Sequence, residues 1–268
     1  MKRFFLLTLI LAGLSLSSCG ILTYHHSGEN SQNNTDSSGG ENSSNDDTTI
    51  SGQLHYEHID GGWKVVSCEG NPSSITIPSH IEGEPVVTIG EGAFMDMHSL
   101  KTVNFPDSLQ LIEMWAFHGC TNLRSVVIPD SVTEIEGWVF EDCNNLESVV
   151  LNNRLTYLGQ SCFHCCFKLK SVQMGENITR LNYGVFEDCS SLASITLPNG
   201  LTHIGEVNFG NCTALKSIFI PLSVSTIEIR TFENDNLTIY AAAASKPTGW
   251  DDGWNPNNCR VIWGSSGI

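Results

Sequence analysis

The chain has 268 residues, with 29 acidic and 13 basic side chains, and its formal net charge is −16. A negative surplus of this size disfavours nucleic acid as a partner, and it disfavours a protein that lies flat on an anionic membrane. Acidity also keeps an exposed protein in solution, so the charge alone does not identify a partner.

An export signal is predicted for residues 1–18. Two basic residues precede an apolar run from Phe4 to Leu16, which is too short for a membrane span and has the layout of a secretory signal. Cys19 follows a leucine and two serines, an arrangement that resembles the bacterial lipobox. The resemblance implies that Cys19 becomes the acylated first residue of the mature protein. The alternative is an ordinary signal peptide with an incidental cysteine.

Residues 19–51 are predicted to be a flexible tether. The segment is rich in Ser, Asn, Gly, Asp and Thr and has too few apolar side chains to form a core. As a coil it would span about 30 Å, and fully stretched it would reach about 100 Å. We expect it to hold the folded part clear of the membrane, with the lipid as the only membrane contact.

Seven phenylalanines then recur every 23 residues, at Phe94, Phe117, Phe140, Phe163, Phe186, Phe209 and Phe232. A fixed period of this size is typical of a solenoid, which grows by stacking one small unit on the next. We predict a mainly β solenoid whose regular repeats cover residues 99–236. Residues 52–98 are expected to form the N-terminal cap and first repeat, and residues 237–268 the C-terminal cap.

Each repeat contains one recognisable strand. In Val126-Val127-Ile128 and its equivalents the side chains alternate inward, outward and inward, and a proline such as Pro129 often follows and ends the strand. The Ala-Phe-x-x-Cys stretch has no strand pattern and is expected to make a tight helical turn. The prediction is a right-handed coil with one parallel sheet of short strands and about eight rungs.

The repeat unit LxxVxIPxxVxxIxxxxFxxC resembles the BspA-like class of bacterial surface leucine-rich repeats, and the resemblance covers nearly everything after residue 52. It implies a secreted or surface-anchored adhesion or recognition module without known catalysis or cofactor. One feature departs from the general leucine-rich repeat. Its asparagine position is held here by Ser108, Ser131, Arg154 and Asn177, so the sheet curvature cannot be inferred from an asparagine ladder.

Five cysteines occupy one column of the repeat, at Cys120, Cys143, Cys166, Cys189 and Cys212, and Met97 holds the same place one turn earlier. A position that accepts methionine is a core position. Stacked neighbours would also present parallel Cβ vectors, which do not suit the dihedral angle of a disulfide. We therefore predict buried, reduced thiols.

The segment from Cys162 to Cys166 reads Cys-Phe-His-Cys-Cys and, taken locally, looks like a metal cluster. The repeat places Cys162 and Cys166 in core columns and Cys165 in a loop position, so we expect the ligands not to converge and no metal to bind. The exposed position after each phenylalanine alternates between His118 or His164 and glutamate. We interpret this column as a solvated edge.

No nucleophile elbow, phosphate-binding loop, zinc-protease helix or paired-carboxylate cleft is visible in the sequence, which disfavours an enzyme. Two binding functions are the alternatives. The first is a cell-surface lipoprotein, expected to be a monomer, that binds an extracellular or host protein or another cell-surface macromolecule. Its candidate face is the outward column of the strands, with Arg124, Val127, Val150, Gln173, Thr196 and Phe219. The second is a carbohydrate-binding surface protein that uses Trp250 and Trp254.

Lipid attachment can be tested by replacing Cys19 with alanine. We expect labelled palmitate to be incorporated into the wild-type protein and into a Cys68→Ala control, because only the Cys19 thiol lies at the predicted cleavage site. Cys19→Ala should remain unlabelled and should accumulate as an unprocessed or soluble form. Recovery of the wild-type protein entirely in the soluble fraction would contradict lipid anchoring.

Overall fold

The computed structural model describes residues 53–234 and 236–268. The predicted signal at 1–18 and the predicted tether at 19–51, including Cys19, lie outside these residues. Within them the chain forms 19 β strands, and no helix there is long and apolar enough to cross a membrane. The strands are β1 (Gln53–Ile59), β2 (Gly62–Glu69), β3 (Ser74–Thr76), β4 (His80–Ile81), β5 (Glu84–Ile89), β6 (Thr102–Asn104), β7 (Leu111–Ile112), β8 (Ser125–Val127), β9 (Glu134–Ile135), β10 (Ser148–Val150), β11 (Tyr157–Leu158), β12 (Ser171–Gln173), β13 (Arg180–Leu181), β14 (Ser194–Ile195), β15 (His203–Ile204), β16 (Ser217–Ile220), β17 (Thr226–Ile227), β18 (Thr238–Ala241) and β19 (Arg260–Trp263).

The parallel strands form two series. The first, which we call the front ladder, pairs β3 with β6, joins β8, β10, β12 and β14, and joins β16, β18 and β19. The second, the back ladder, runs through β2, β5, β7, β9 and β11 and continues with β13, β15 and β17. Nearly every coil therefore contributes one strand to each ladder, and within each of these groups the strands of neighbouring coils are linked by backbone hydrogen bonds.

These ladders confirm a β solenoid of short parallel strands but extend the prediction in two ways. The prediction of one sheet was incomplete, because two-residue strands such as β9 and β11 are too short to show an alternating pattern in the sequence. The front ladder has nine strands where about eight were expected, since β19 in the C-terminal cap adds one more. The Ala-Phe-x-x-Cys stretch forms consecutive turns and not a helix.

An antiparallel hairpin of β1 and β2 covers the N-terminal end and was not predicted. Ile59 pairs with Gly62, so Asp60 and Gly61 form the turn, and Gly61 has a φ of 97°. An Asp-Gly pair between two apolar runs is a typical hairpin signal that could have identified it. Strand β2 then pairs in parallel with β5, so the hairpin covers the first rung of the back ladder.

The phenylalanines stack along the solenoid. Their ring centroids lie between 4.9 Å for Phe94–Phe117 and 5.8 Å for Phe186–Phe209, with neighbouring rings tilted by no more than 16°. Offset stacking at this distance contributes about 0.5–1.5 kcal/mol per pair beyond the burial of the rings. The backbone adds a second link, because the Phe117 N–H donates to the Val139 carbonyl of the next coil at 3.0 Å.

The cysteine column is buried and reduced, as the sequence predicts. Each thiol donates to the carbonyl oxygen of the phenylalanine one coil earlier: Cys120 to Phe94 at 3.2 Å, and Cys166 to Phe140 at the same distance. Burial raises the pKa of Cys120 to about 12 and raises the pKa of Cys143 well above its usual value. The column is therefore a set of unreactive core thiols with a satisfied hydrogen bond.

The C-terminal cap closes the phenylalanine stack with tryptophan. The Trp254 ring meets Phe232 edge-to-face at 5.6 Å, and Trp250 meets Trp254 at 4.8 Å. The Trp250 Nε1–H donates to the Val224 carbonyl at 3.1 Å. Indole rings thus cover the last rung, which would otherwise expose its apolar side chains to water.

Thiol reactivity tests the burial of the cysteine column. We expect a thiol reagent at neutral pH to leave Cys120, Cys143, Cys166, Cys189 and Cys212 unmodified in the native protein, because their raised pKa values keep them protonated. All five should titrate once denaturant is added. The partly exposed Cys68 provides the internal reference for reagent activity. Disulfides among the five cysteines in the native protein, detected by mass spectrometry, would contradict this prediction.

Truncation of Trp254 tests the role of the cap. Trp254→Ala should lower the free energy of unfolding by about 3–5 kcal/mol, because a buried aromatic ring is removed from the end of the stack. Trp254→Phe is the matched control and should retain most of the stability through its contact with Phe232. Equal stability of Trp254→Ala and the wild type in denaturant titrations would show that the ring does not cover the last rung.

Candidate functional site

The predicted binding face lies on the outward side of the front ladder. Val127, Val150 and Gln173 are direct neighbours on β8, β10 and β12. Val127 is 65% exposed, and Thr196 and Arg124 are also exposed. The inward neighbours of this column are buried valine and isoleucine, so the outward side chains stand on a rigid base. We call this surface the strand face.

The strand face continues past Phe219 into the C-terminal cap. Phe219 pairs with Tyr240, and Tyr240 pairs with Ile262 on β19. All three side chains are half-buried and together form an apolar end to the column. Tyr240 and Ile262 were missed in the sequence because the last repeat is shortened and its alignment with the others is lost.

The charged rim of the strand face alternates in sign. Glu147 lies between Arg124 and Lys170, at 3.8 Å from the first and 2.6 Å from the second. The hydrogen bond and charge of Lys170, followed by the charge of Arg124, lower the pKa of Glu147 below its usual value. The rim therefore carries paired charges of both signs, with Arg124 and Lys170 as the basic members on either side of a carboxylate.

A second feature, which we call the edge ladder, consists of side chains one or two residues after the phenylalanines of successive coils, namely His118, Glu141, His164, Asp188 and Asn211. His164 Nδ1 hydrogen-bonds Glu141 Oε1 at 2.8 Å, and His118 Nδ1 lies 3.2 Å from the other oxygen of Glu141. On the next coil, Asp188 Oδ2 lies 3.5 Å from His164 Nε2, and Asn211 Nδ2 donates to Asp188 Oδ1 at 2.8 Å. The column that the sequence suggested as a solvated edge is thus half-buried and internally paired.

The charges of the edge ladder stabilise one another. A hydrogen bond to Glu141 is the largest reason why the pKa of His118 lies above its usual value. Burial by itself lowers the pKa of His164, but hydrogen bonds to Asp188, Cys165 and Glu141 outweigh burial and raise it. Hydrogen bonding to His164 is the main cause of the lowered pKa of Asp188. The arrangement favours protonated histidine between ionised carboxylates.

The cysteines of the Cys162–Cys166 segment do not come together, but a different set of side chains meets at Cys165. Cys162 and Cys166 do lie in the core, fully buried. Cys165, however, is only 2% exposed, and its Sγ lies 3.4 Å from His164 Nε2. One donor atom each from His164, Cys165 and Asp188 lies within 4.8 Å of the other two. The sequence did not connect this segment with Asp188, which lies 23 residues after Cys165.

The two tryptophans proposed for sugar binding are buried. Trp250 is 2% exposed and Trp254 is 6% exposed, so neither ring offers a face on which a sugar could stack. Trp115 and Trp138, by contrast, are half-buried, and their ring centroids lie 5.6 Å apart in a stacked arrangement. Each lies two residues before a phenylalanine of the repeat. Their 23-residue separation places them at the same position of neighbouring repeats and could have identified them as a pair in the sequence.

Concave sites on the described residues are shallow. Two depressions of about 460 and 450 Å³ are open to solvent, one beside Glu206, Glu228 and Trp250 and the other beside Asp107 and Arg154. Short connections between the ladder strands leave little chain from which a deeper wall could be built. The geometry therefore presents extended surfaces more readily than an enclosed small-molecule site.

Six copies of the BspA type leucine rich repeat region match residues 67–193 and 181–245, more than half of the chain. Among solved structures, the leucine-rich repeat protein of T. pallidum is 24% identical, with a TM-score of 0.51, over 78% of this chain and 95% of that one. A leucine rich cell surface protein from Faecalibacterium prausnitzii is 20% identical, with a TM-score of 0.44, over 82% of this chain and 98% of that one.

The similarity in shape to the T. pallidum protein supports the same solenoid fold for this chain. No protein among those of curated function matches the chain. The family match itself rests on the repeat pattern, and the structure places the same repeated positions in the core. The chain belongs to the BspA-type leucine-rich repeat family.

Proposed function

We propose that the protein is a lipid-anchored bacterial surface protein that binds another protein through the strand face. The observation that carries the proposal is the apolar pair of Val127, which is 65% exposed, and its half-buried ladder neighbour Val150. Adjacent apolar side chains with a polar and charged rim are the usual anatomy of a protein-binding surface.

Family membership supports the location and the class of activity. BspA-type proteins are in general bacterial surface proteins, and leucine-rich repeat solenoids typically serve as non-catalytic interaction scaffolds. The signal-like start and Cys19 supply a route to the envelope. The net charge of −16 disfavours nucleic acid as the partner.

Rigidity supports the strand face as the contact surface. Strand β10, which carries Val150, pairs with β8, which carries Val127, on one side and with β12 on the other. The inward neighbours of both valines are buried. Binding therefore orders little backbone, which reduces the entropic cost of association.

The size of the surface indicates how much of it a partner must cover. Six front strands, from β8 to β18, extend over about 24 Å, and each three-residue strand is about 10 Å long. The area of that strip is smaller than the surface of about 800 Å² that each partner buries in a standard interface. A protein bound here would also cover the rim with Arg124 and Lys170, which adds specificity through charge.

Carbohydrate is the alternative ligand, and one observation favours it. The half-buried Trp115 and Trp138 stack on each other and offer aromatic edges outside the strand face. This pair replaces Trp250 and Trp254 as the candidate platform, because the latter two rings are buried.

The strand face is tested with the double variant Val127→Glu and Val150→Glu. It should lose at least about tenfold in affinity for the protein partner, because two carboxylates would enter a desolvated contact. Partners would first be enriched from extracellular matrix and cell-surface proteins, and the affinity of the identified partner would then be measured by surface plasmon resonance.

The matched control is Thr179→Glu with Thr202→Glu, which adds the same charge at exposed positions away from the strand face. Both double variants should melt at the wild-type temperature, since neither alters the core. Unchanged binding by the strand-face variant would contradict the proposal. Glycan-array binding that disappears in Trp115→Ala with Trp138→Ala would favour the carbohydrate alternative.

A further inference from the structure

We propose that His164, Cys165 and Asp188 form a Zn²⁺ site on the edge ladder, linking two neighbouring coils. His164 and Cys165 belong to one coil, and Asp188 belongs to the next. The site is independent of the strand face and of the ligand proposed for it.

The backbone explains why Cys165 can reach this position. The second residue after six of the seven phenylalanines has a left-handed φ, at Asp96, Gly119, Asp142, Cys165, Asp188 and Asn211, with values from 55° to 70°. Aspartate, asparagine and glycine tolerate this conformation, and cysteine has no comparable preference for it. Cys165 therefore departs from the residue type that the backbone favours, and the departure puts a thiol beside His164.

The two donor-atom distances from His164 match those of a tetrahedral zinc site. With bonds of about 2.3 Å to sulfur and about 2.0–2.2 Å to nitrogen and oxygen, two tetrahedral ligands lie about 3.4–3.6 Å apart. His164 Nε2 lies 3.4 Å from Cys165 Sγ and 3.5 Å from Asp188 Oδ2. The Cys165 and Asp188 donor atoms lie within 4.8 Å of each other, so the three atoms can approach one ion through a small shift of the side chains.

Neighbouring side chains orient two of the three ligands. Glu141 accepts a hydrogen bond from His164 Nδ1 at 2.8 Å, which leaves Nε2 for the metal. Asn211 Nδ2 donates to Asp188 Oδ1 at 2.8 Å, and the other oxygen, Oδ2, faces His164. A carboxylate behind a metal-binding histidine is the usual supporting arrangement in zinc sites.

The chemistry of the donors selects the metal. Imidazole nitrogen, thiolate sulfur and carboxylate oxygen together suit Zn²⁺, whereas Ca²⁺ and Mg²⁺ require oxygen ligands. On binding, the Cys165 thiol releases its proton to solvent, and the ion takes the place of any proton on His164 Nε2. The resulting thiolate and the Asp188 carboxylate balance the two positive charges of zinc.

His118 provides a matched control within the same ladder. Its side chain is 26% exposed and that of His164 is 27% exposed, and both histidines lie against Glu141. The residue that follows His118 is Gly119, which offers no donor side chain. A ladder that only pairs charges would treat the two histidines alike, whereas a zinc site depends on His164 alone.

The full-length chain, first stripped of metal with a chelator, would be titrated with Zn²⁺ by calorimetry and with Co²⁺ by absorption spectroscopy. We expect one saturable Zn²⁺ per chain and a thiolate-to-cobalt charge-transfer band. Cys165→Asn uses a residue type already found at Asn211 in the same column, so the fold should be retained. It should abolish the band and the saturable binding, as should His164→Gln, while His118→Gln should bind like the wild type.

Glu141→Gln should weaken zinc binding by about 10–100-fold without removing the charge-transfer band, because it changes only the support of His164. Thermal melting of each variant without metal separates loss of the site from loss of the fold. The proposal is overturned if wild-type protein binds no more Zn²⁺ than Cys165→Asn, or if Co²⁺ binds without a thiolate band. Equal loss of binding in His118→Gln and His164→Gln would also overturn it.

Discussion

The stacking of each coil on the next is the interaction on which the whole structure depends. A single coil has only short strands and could not bury its apolar side chains by itself. Contact between coils buries them on both sides, aligns the phenylalanine rings at 4.9–5.8 Å, and pairs the backbone of each ladder. The ends of such a stack must be covered, which is why a hairpin precedes the first coil and indole rings follow the last.

Stacking also divides the repeat into positions that cannot vary and positions that can. Inward columns carry the phenylalanines and the cysteines, whose thiols donate to the preceding coil. Outward columns are not needed for the core, so they are where binding residues can differ from coil to coil. The apolar pair of Val127 and Val150 on the strand face and the donors around His164 on the edge ladder both occupy outward or edge columns.

The strand face and the edge ladder differ in how the stack creates them. The strand face is a row of equivalent positions, and its character follows from side chains that repeat along one ladder. The edge ladder depends on contact between unlike positions, since His164 and Asp188 belong to different places in the repeat. Glu141 connects two histidines because the coils bring all three side chains to one edge.

The repeat period alone determined the solenoid, the core columns, the reduced state of the cysteine column and the residues of the strand face, because a side chain at a repeated position must meet its equivalents. Only the tertiary structure decided how deeply each side chain is buried, and which side chains at other repeat positions of the neighbouring coils it contacts. It buried Trp250 and Trp254 in the cap, extended the strand face to Tyr240 and Ile262, and brought Asp188 to His164 and Cys165. These outcomes depend on the offset between coils and on the irregular alignment of the caps, and neither is encoded in a fixed spacing of residues.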